Sequence, residues 1–411
     1  MNGRSPSSQA EWRAGWSYVA AAMVGMGVGA GLFQYVSSLF ILPLEQGFGW
    51  SRGDISAASA IGLLGALSAP LIGRMADRWG TRLVAITALC GLSATFAVMA
   101  FMESYTTLLV CSAMIGMLAP GCTALTFSRF VNTRFDRSLG LALGVMMAGL
   151  SLSAFAVTLV LQSVLDAHGH TGGYLFLGAL AIGLGAPATL LGTRGERAPR
   201  VNAGRIFTTS NAPLVALVKN RIFLLLAGAM FAVNLPASGV ITQLRPMIGE
   251  KVTGNPGFYV AVYALSVLAG RILVGAALDR LESRLVAAGS AVFGAIGCLL
   301  LLQAVPGSAV PLALLMIGLL QGAEADVLSY LVTRNFARAD YGTVYGLLVT
   351  VSLLGTAAGI YLFGALYDRT QSYDAALGVA ISVLVVAVAI YWRLPTKATH
   401  PVPQQTVGDP A

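Results

Sequence analysis

Twelve stretches of this chain are each long and apolar enough to cross a lipid bilayer, and that repetition limits the folds open to it. A bilayer core of about 30 Å takes roughly 20 apolar residues in a helix. Lipid offers no hydrogen bonds to exposed backbone, so a spanning segment must be a helix or part of a closed barrel. The runs cover residues 16–44, 55–71, 83–102, 106–130, 139–165 and 173–191, then 222–244, 258–278, 285–305, 309–332, 341–367 and 375–392. Only 10% of residues are charged and 56% are hydrophobic, against about 25% charged in an ordinary soluble domain. The reading is an all-α integral membrane protein.

Residues 194–221 form the longest polar stretch and divide the runs into two groups of six. The expected organisation is a tail over 1–14, a six-helix bundle over 15–193, a linker over 194–221, a second bundle over 222–394 and a tail over 395–411. The two groups share a signature. Gly73, Asp77, Arg78, Arg82, Leu83, Val84 and Ala85 recur as Gly275, Asp279, Arg280, Arg284, Leu285, Val286 and Ala287, each 202 positions later. That spacing predicts twelve transmembrane helices in two pseudo-symmetric six-helix bundles.

The net charge of +8 is dispersed over short loops, whereas nucleic-acid binding needs a basic cluster on one solvated face. It is better read as orientation. Twenty Lys and Arg fall in the tails and even-numbered loops, and four (Arg52, Arg245, Lys251 and Arg369) in the odd-numbered loops. The positive-inside rule then places both termini in the cytoplasm. Cys90, Cys111, Cys122 and Cys298 all lie in apolar runs and form no disulfide framework. Gly25, Gly27, Gly29 and Gly31 sit inside a membrane run and read as close helix packing, since a dinucleotide loop needs a strand before it. His168 and His170 lie in an odd loop and are not read as a metal site. No cofactor and no metal is expected. With neither an HExxH motif nor a nucleotide loop in the sequence, the chain is not read as an enzyme.

The residues able to carry chemistry lie inside the runs. Arg271 places a fixed cation about two and a half turns into the eighth. At such depth an arginine costs roughly 2.5 to 3.5 kcal/mol even on the lenient insertion scale, so it is expected to face a partner or a wet cavity. Glu324 and Asp326 in the tenth run are its two deep carboxylates. Glu324 stands ten residues from Arg334 and Arg271 nine from Arg280, so at about 1.5 Å per residue their depths match and pairing is feasible. The two acids are two positions apart, about 200° around a helix, so only one can share the cavity of Arg271. Gln321 lies on the side of Glu324 and Tyr330 on that of Asp326; the proton-coupling role is expected of one acid, with Glu324 favoured. An anion bound at the arginine would remove its lowering influence on the acid and favour protonation, which is a physical route to coupling. Gln34, Tyr35 and Ser38 in the first run, Asn234 in the seventh and Tyr263 in the eighth are further cavity candidates. Asp77, Arg78, Asp279 and Arg280 read as parts of a switch that closes one side of the membrane. Arg129, Arg134, Asp136 and Arg137 read as cytoplasmic charge and contact between the bundles.

The duplicated loops GRMADRWGTR and GAALDRLESR, together with the twelve runs, resemble the major facilitator superfamily over residues 16–392. That resemblance implies two bundles rocking about a central site. FGWSRGDIS, LALGVMMAG, GRILVGAALDR and GAEADVLSYLVTRNFA resemble the monocarboxylate transporter-like and oxalate/formate antiporter-like branch. The branch implies that Arg271 binds a substrate carboxylate. Three positions depart from the pattern: Tyr35 stands where monocarboxylate carriers have a lysine, Val267 where they have an acid, and residues 341–367 lack the lysine of the oxalate type. With one intramembrane cation, a monoanion fits better than a dianion. The glycine-proline motif of drug/proton antiporters is absent from 139–165.

The expected protein is a monomeric secondary transporter of a small organic monocarboxylate, coupled to protons, in a bacterial cytoplasmic membrane, with the lipid bilayer and no nucleic acid as partner. An exchanger or exporter of organic anions and a non-transporting receptor are the alternatives.

Overall fold

The computed structural model describes residues 8–135, 138–194, 220–250, 255–278, 280–303, 309–336 and 340–395, and every element among them is helical. Most of the expected linker and the C-terminal tail, with Asp136, Arg137 and Asp279, lie outside the described residues. The first helices are α1 (Ser8–Gly27), α2 (Ala30–Val36) and α3 (Ile41–Phe48). They make one apolar path, bent by 45° between α1 and the segment Ala30–Phe48. The bend sits where Gly29 presses on the carbonyl of Cys122, an approach that leaves no room for a Cβ.

The chain continues through α4 (Arg52–Leu64), α5 (Ala69–Trp79), α6 (Thr81–Ala100), α7 (Tyr105–Leu118) and α8 (Ala124–Asn132). Ser51 caps α4 by accepting from the backbone N–H of Asp54, and Ser104 caps α7 through Thr107. Helix α9 (Leu139–Leu180) is followed by α10 (Ala186–Gly192). A straight helix of 42 residues would measure about 63 Å, twice the bilayer core. Instead Gly169 leaves helical geometry at φ 60°, ψ −161°. The side chain of Leu165 packs on Gly173 and that of Val164 on Gly172, so the chain doubles back there.

The second group is α11 (Arg221–Gly249), α12 (Pro256–Leu278), α13 (Ser283–Leu302), α14 (Val310–Asn335), α15 (Tyr341–Thr370) and α16 (Asp374–Trp392). Asn220 caps α11 by accepting from Ile222 and Phe223. Nine helical stretches among the described residues are long and apolar enough to cross a membrane, or ten with the bent first pair as one. The expected count was twelve. Two causes are visible: residues 139–192 count once although they double back, and the path of α4 and α5 is interrupted by a 3-10 turn over Gly65–Ser68.

Some contacts recur at the 202-residue offset seen in the sequence. Gly116 of α7 packs on the backbone at Gly62 and Gly65, and Gly318 of α14 packs on Ser266 and Val267 of α12. Arg82 donates to the carbonyl of Leu190, and Arg284 lies over the ring of Trp392.

The two groups meet on the side of the odd-numbered loops. Arg52, only 8% exposed, donates from Nε to Glu45 at 3.1 Å and from Nη1 to Glu250 at 3.0 Å and Tyr373 at 2.8 Å. Its guanidinium also lies 3.8 Å from the centroid of the Tyr367 ring. Tyr373 passes the chain on to Gln243, which donates to Ser56 at 2.6 Å. The backbone N–H of Gly53 donates to Asp368. Beside this seam Arg245 donates to Gln162, which donates to Asp166, and Gly257 of α12 touches Gln162 of α9. A Cβ would meet nothing at Gly140 and Gly144 of α9, Gly275 of α12 and Gly346 of α15. The ties between the two groups described above all lie on the side of the odd-numbered loops.

Arg52→Ala is expected to loosen the closed seam. Because Glu45 and Glu250 are 35% and 40% exposed, screening trims the effect to about 1.4 kcal/mol, or about tenfold in the opening equilibrium. A membrane-impermeant maleimide should label Ser56→Cys about tenfold faster in that background; equal rates would show that Arg52 does not hold the seam.

Candidate functional site

Two glycines decide where the ionisable side chains stand. Gly270 of α12 lies on the backbone of Gly318 and Leu319, and Gly322 of α14 lies on the carbonyl of Val267 and the backbone nitrogen of Arg271. Without side chains between them the helices touch, as small residues allow in membranes. Arg271 and Glu324 leave the two helices beside this contact.

Arg271 is half-buried. Its Nε is shielded and has no hydrogen-bond partner among the described residues. The Tyr35 phenol, carried by α2 in the other group, interacts with the guanidinium and with Ser151 of α9. Glu324 interacts with Asn234 and lies within electrostatic range of Arg271. Asn234 is positioned on α11 by donating to the Met230 carbonyl at 2.9 Å and accepting from Thr356 of α15 at 3.2 Å. Its amide has a second N–H for the carboxylate. Tyr263 is fully buried, its hydroxyl unpartnered among the described residues, and it senses Tyr35 and Glu324. Gln321 likewise presents a shielded, unpartnered Oε1. The arrangement is a guanidinium and a carboxyl in one polar cluster, surrounded by uncharged hydrogen-bonding groups from both halves of the chain.

Arg271, Tyr35, Asn234, Tyr263 and Glu324 thus lie near one another. The expected direct pairing does not form: among the described residues neither acid makes an ion pair with Arg271 within 4 Å. Asp326 is exposed and leaves α14 on another face, although Arg271 still acts on it at longer range. Gln34 lines a neighbouring recess walled by both halves of the chain. Tyr330 lies a turn from Arg334, whose guanidinium sits 5.6 Å from its ring. Ser38 is fully buried, its hydroxyl unpartnered among the described residues.

Among the loop residues, Asp77 accepts from Arg129 at 2.6 Å. Arg129, read as cytoplasmic charge and contact between the bundles, thus has a partner inside its own half. Arg78 and Arg280 are exposed, and Asp279 lies outside the described residues. Sequence reasoning missed Ser151 and Thr356, ordinary hydroxyl residues in apolar runs. It also missed Arg52 as a tie between the halves, although the motif FGWSRGDIS contains it.

A family model described as the Major Facilitator Superfamily matches residues 17–360 and 255–410. Among curated proteins, the chain is 24% identical over 392 residues to Monocarboxylate transporter 13 of Bos taurus, covering 93% of this chain and 89% of that protein. It is 28% identical over 407 residues to Monocarboxylate transporter 11 of Mus musculus, covering 93% and 87%. The Homo sapiens protein of the same name is 28% identical over 405 residues, covering 93% and 83%.

A Cβ at Gly322 would meet the backbone nitrogen of Arg271 at 2.8 Å and crowd the Val267 carbonyl. Gly322→Ala is therefore expected to force α12 and α14 apart at a cost of about 1 to 3 kcal/mol, as overpacking does. Thermal unfolding of the purified protein should show a lower midpoint; an unchanged midpoint would mean that the helices yield freely there.

Proposed function

The chain belongs to the Major Facilitator Superfamily, and from that premise we propose that it carries a small organic monocarboxylate across the membrane by alternating access, in symport with a proton. The observation that carries this reading is Arg271: a guanidinium inside the helical bundle, its Nε unpartnered and shielded, faced from the other half by Tyr35. A carboxylate matches the planar fork of a guanidinium better than any neutral group does. The names of the relatives, monocarboxylate transporters over nearly the whole chain, support the same substrate class.

In this reading the helices make twelve spans in two pseudo-symmetric halves, supported by the contacts that recur at the 202-residue offset. The termini are cytoplasmic, in keeping with the charge bias between the loops. The seam around Arg52 then closes the outer face. The membrane is the cytoplasmic membrane of a bacterium, and the carrier acts as a monomer.

Glu324 is the proton carrier. It shares a cluster with Arg271 without a direct ion pair, so an anion arriving at the guanidinium weakens the positive field at the carboxyl and draws a proton to it. Substrate and proton load together. Asp77 and Arg129, and the exposed Arg78 and Arg280, belong to the inner switch.

Uptake of carboxylates by proteoliposomes containing only this protein tests the reading, and two variants sharpen it. Arg271→Lys keeps the charge and loses the fork, so uptake should fall by about tenfold or more while membrane insertion survives; unchanged uptake would remove Arg271 from the site. Glu324→Gln should retain exchange of labelled for unlabelled substrate and lose accumulation driven by a pH gradient. Accumulation equal to that of the parent would assign the proton elsewhere.

A further inference from the structure

A second recess lies on the neighbouring face of the first helices. It encloses about 160 Å³ and is lined from both halves of the chain: Gln34 and Ser37 from the first helices, Ser59 from α4, Ser112 from α7, Thr242 from α11, and Ile360 from α15. No ionisable side chain lines it. At about 30 Å³ for each water, the space suits roughly five non-hydrogen atoms.

The hydrogen bonds inside it have a direction. Ser37 donates to the Gln34 carbonyl at 3.1 Å, Ser59 to Ile55 at 3.2 Å and Thr242 to Ser238 at 2.8 Å. A hydroxyl that has given its proton to the backbone presents only lone pairs to the cavity. Three such oxygens make an acceptor-rich lining, suited to a ligand that brings a donor. A second carboxylate would enter with no cation to offset its desolvation. A bare alkyl end would leave those oxygens unsatisfied.

The recess also adjoins the Arg271 cluster. Gln34 and Tyr35 are consecutive, about 100° apart on a helix, so one lines the recess while the other reaches Arg271. Gly31, in the recess wall, packs on Leu150, next to the Ser151 that Tyr35 contacts.

We propose that this recess is the subsite for the uncharged end of the substrate, and that it selects monocarboxylates bearing a neutral hydrogen-bond donor, such as a hydroxyl, at the end remote from the carboxylate. The inference rests on Arg271 as the carboxylate anchor. It adds a substrate class that the anchor alone does not specify.

The test is thermal-shift titration of the purified full chain. The probes are ω-hydroxy monocarboxylates, n-alkyl monocarboxylates and dicarboxylates of matched length, from about four to eight carbons, the span a five-atom recess beside the anchor admits. The expected result is one hydroxy acid bound about tenfold more tightly than its alkyl counterpart, the worth of one neutral hydrogen bond, with the dicarboxylate weakest. In the Ser37→Ala, Ser59→Ala, Thr242→Val triple variant the hydroxy and alkyl acids should bind alike. Arg271→Gln should abolish binding of both. If no length favours the hydroxy acid in the parent, or the triple variant keeps the full preference, the subsite is overturned and the anchor stands. If Arg271→Gln still binds and still prefers the hydroxy acid, the anchor is overturned and the recess stands as a site of its own.

Discussion

A guanidinium held inside an apolar bundle has to be compensated, and the interior of this protein is arranged around that requirement. Arg271 would cost roughly 2.5 to 3.5 kcal/mol on the lenient scale if it faced lipid. The structure answers with polar groups from six helices: Tyr35, Ser151, Asn234, Glu324, Thr356 and Tyr263. None of them is a carboxylate in contact with the cation. A tight buried pair would have met the electrostatic need internally, and its desolvation would have offset much of its attraction.

Polar side chains could not be brought this close on helices spaced by large residues. The approach of α12 to α14 depends on Gly270, Gly318 and Gly322, whose absent Cβ atoms leave backbone against backbone. Lipid gives helices no hydrophobic reason to associate, so such contacts carry the packing. Gly116 makes the equivalent approach on α4, 202 positions earlier. There the residues around it are neutral and form the recess. One packing device thus supports a charged site in one half and an uncharged one in the other.

The sequence made much of this legible where the signal was local. Apolar runs located the helices. Glu324 is half-buried beside Asn234 and Asp326 is exposed, and the field of Arg271 reaches both. Gln34 and Tyr35 are consecutive, about 100° apart on the helix, and the structure puts Gln34 on the recess and Tyr35 beside Arg271. Arg52 was illegible for a different reason. Its partners Glu250 and Tyr373 lie 198 and 321 residues away, and no periodicity links positions so far apart. The reversal at Gly169 was placed correctly between two runs, although the backbone there is nearly continuous helix on either side.

The seam also takes up two of the four exceptions in the charge count. Four cations fall in the odd-numbered loops, where the positive-inside rule disfavours them. Arg52 reaches from the first half to Glu250 and Tyr373 of the second, and Arg245 reaches from the second half to Gln162 of the first. Both are thus taken up at the seam in this structure, and in the proposed cycle they would return to the loop surface as it opens. A cation neutralised by acids and a tyrosine ring in one state and hydrated in the other gives the closed state a finite, salt-sensitive advantage. A carrier that must leave that state in every cycle needs an advantage of that limited kind, because a seam of apolar packing alone would lack polar groups ready to be rehydrated as it opens.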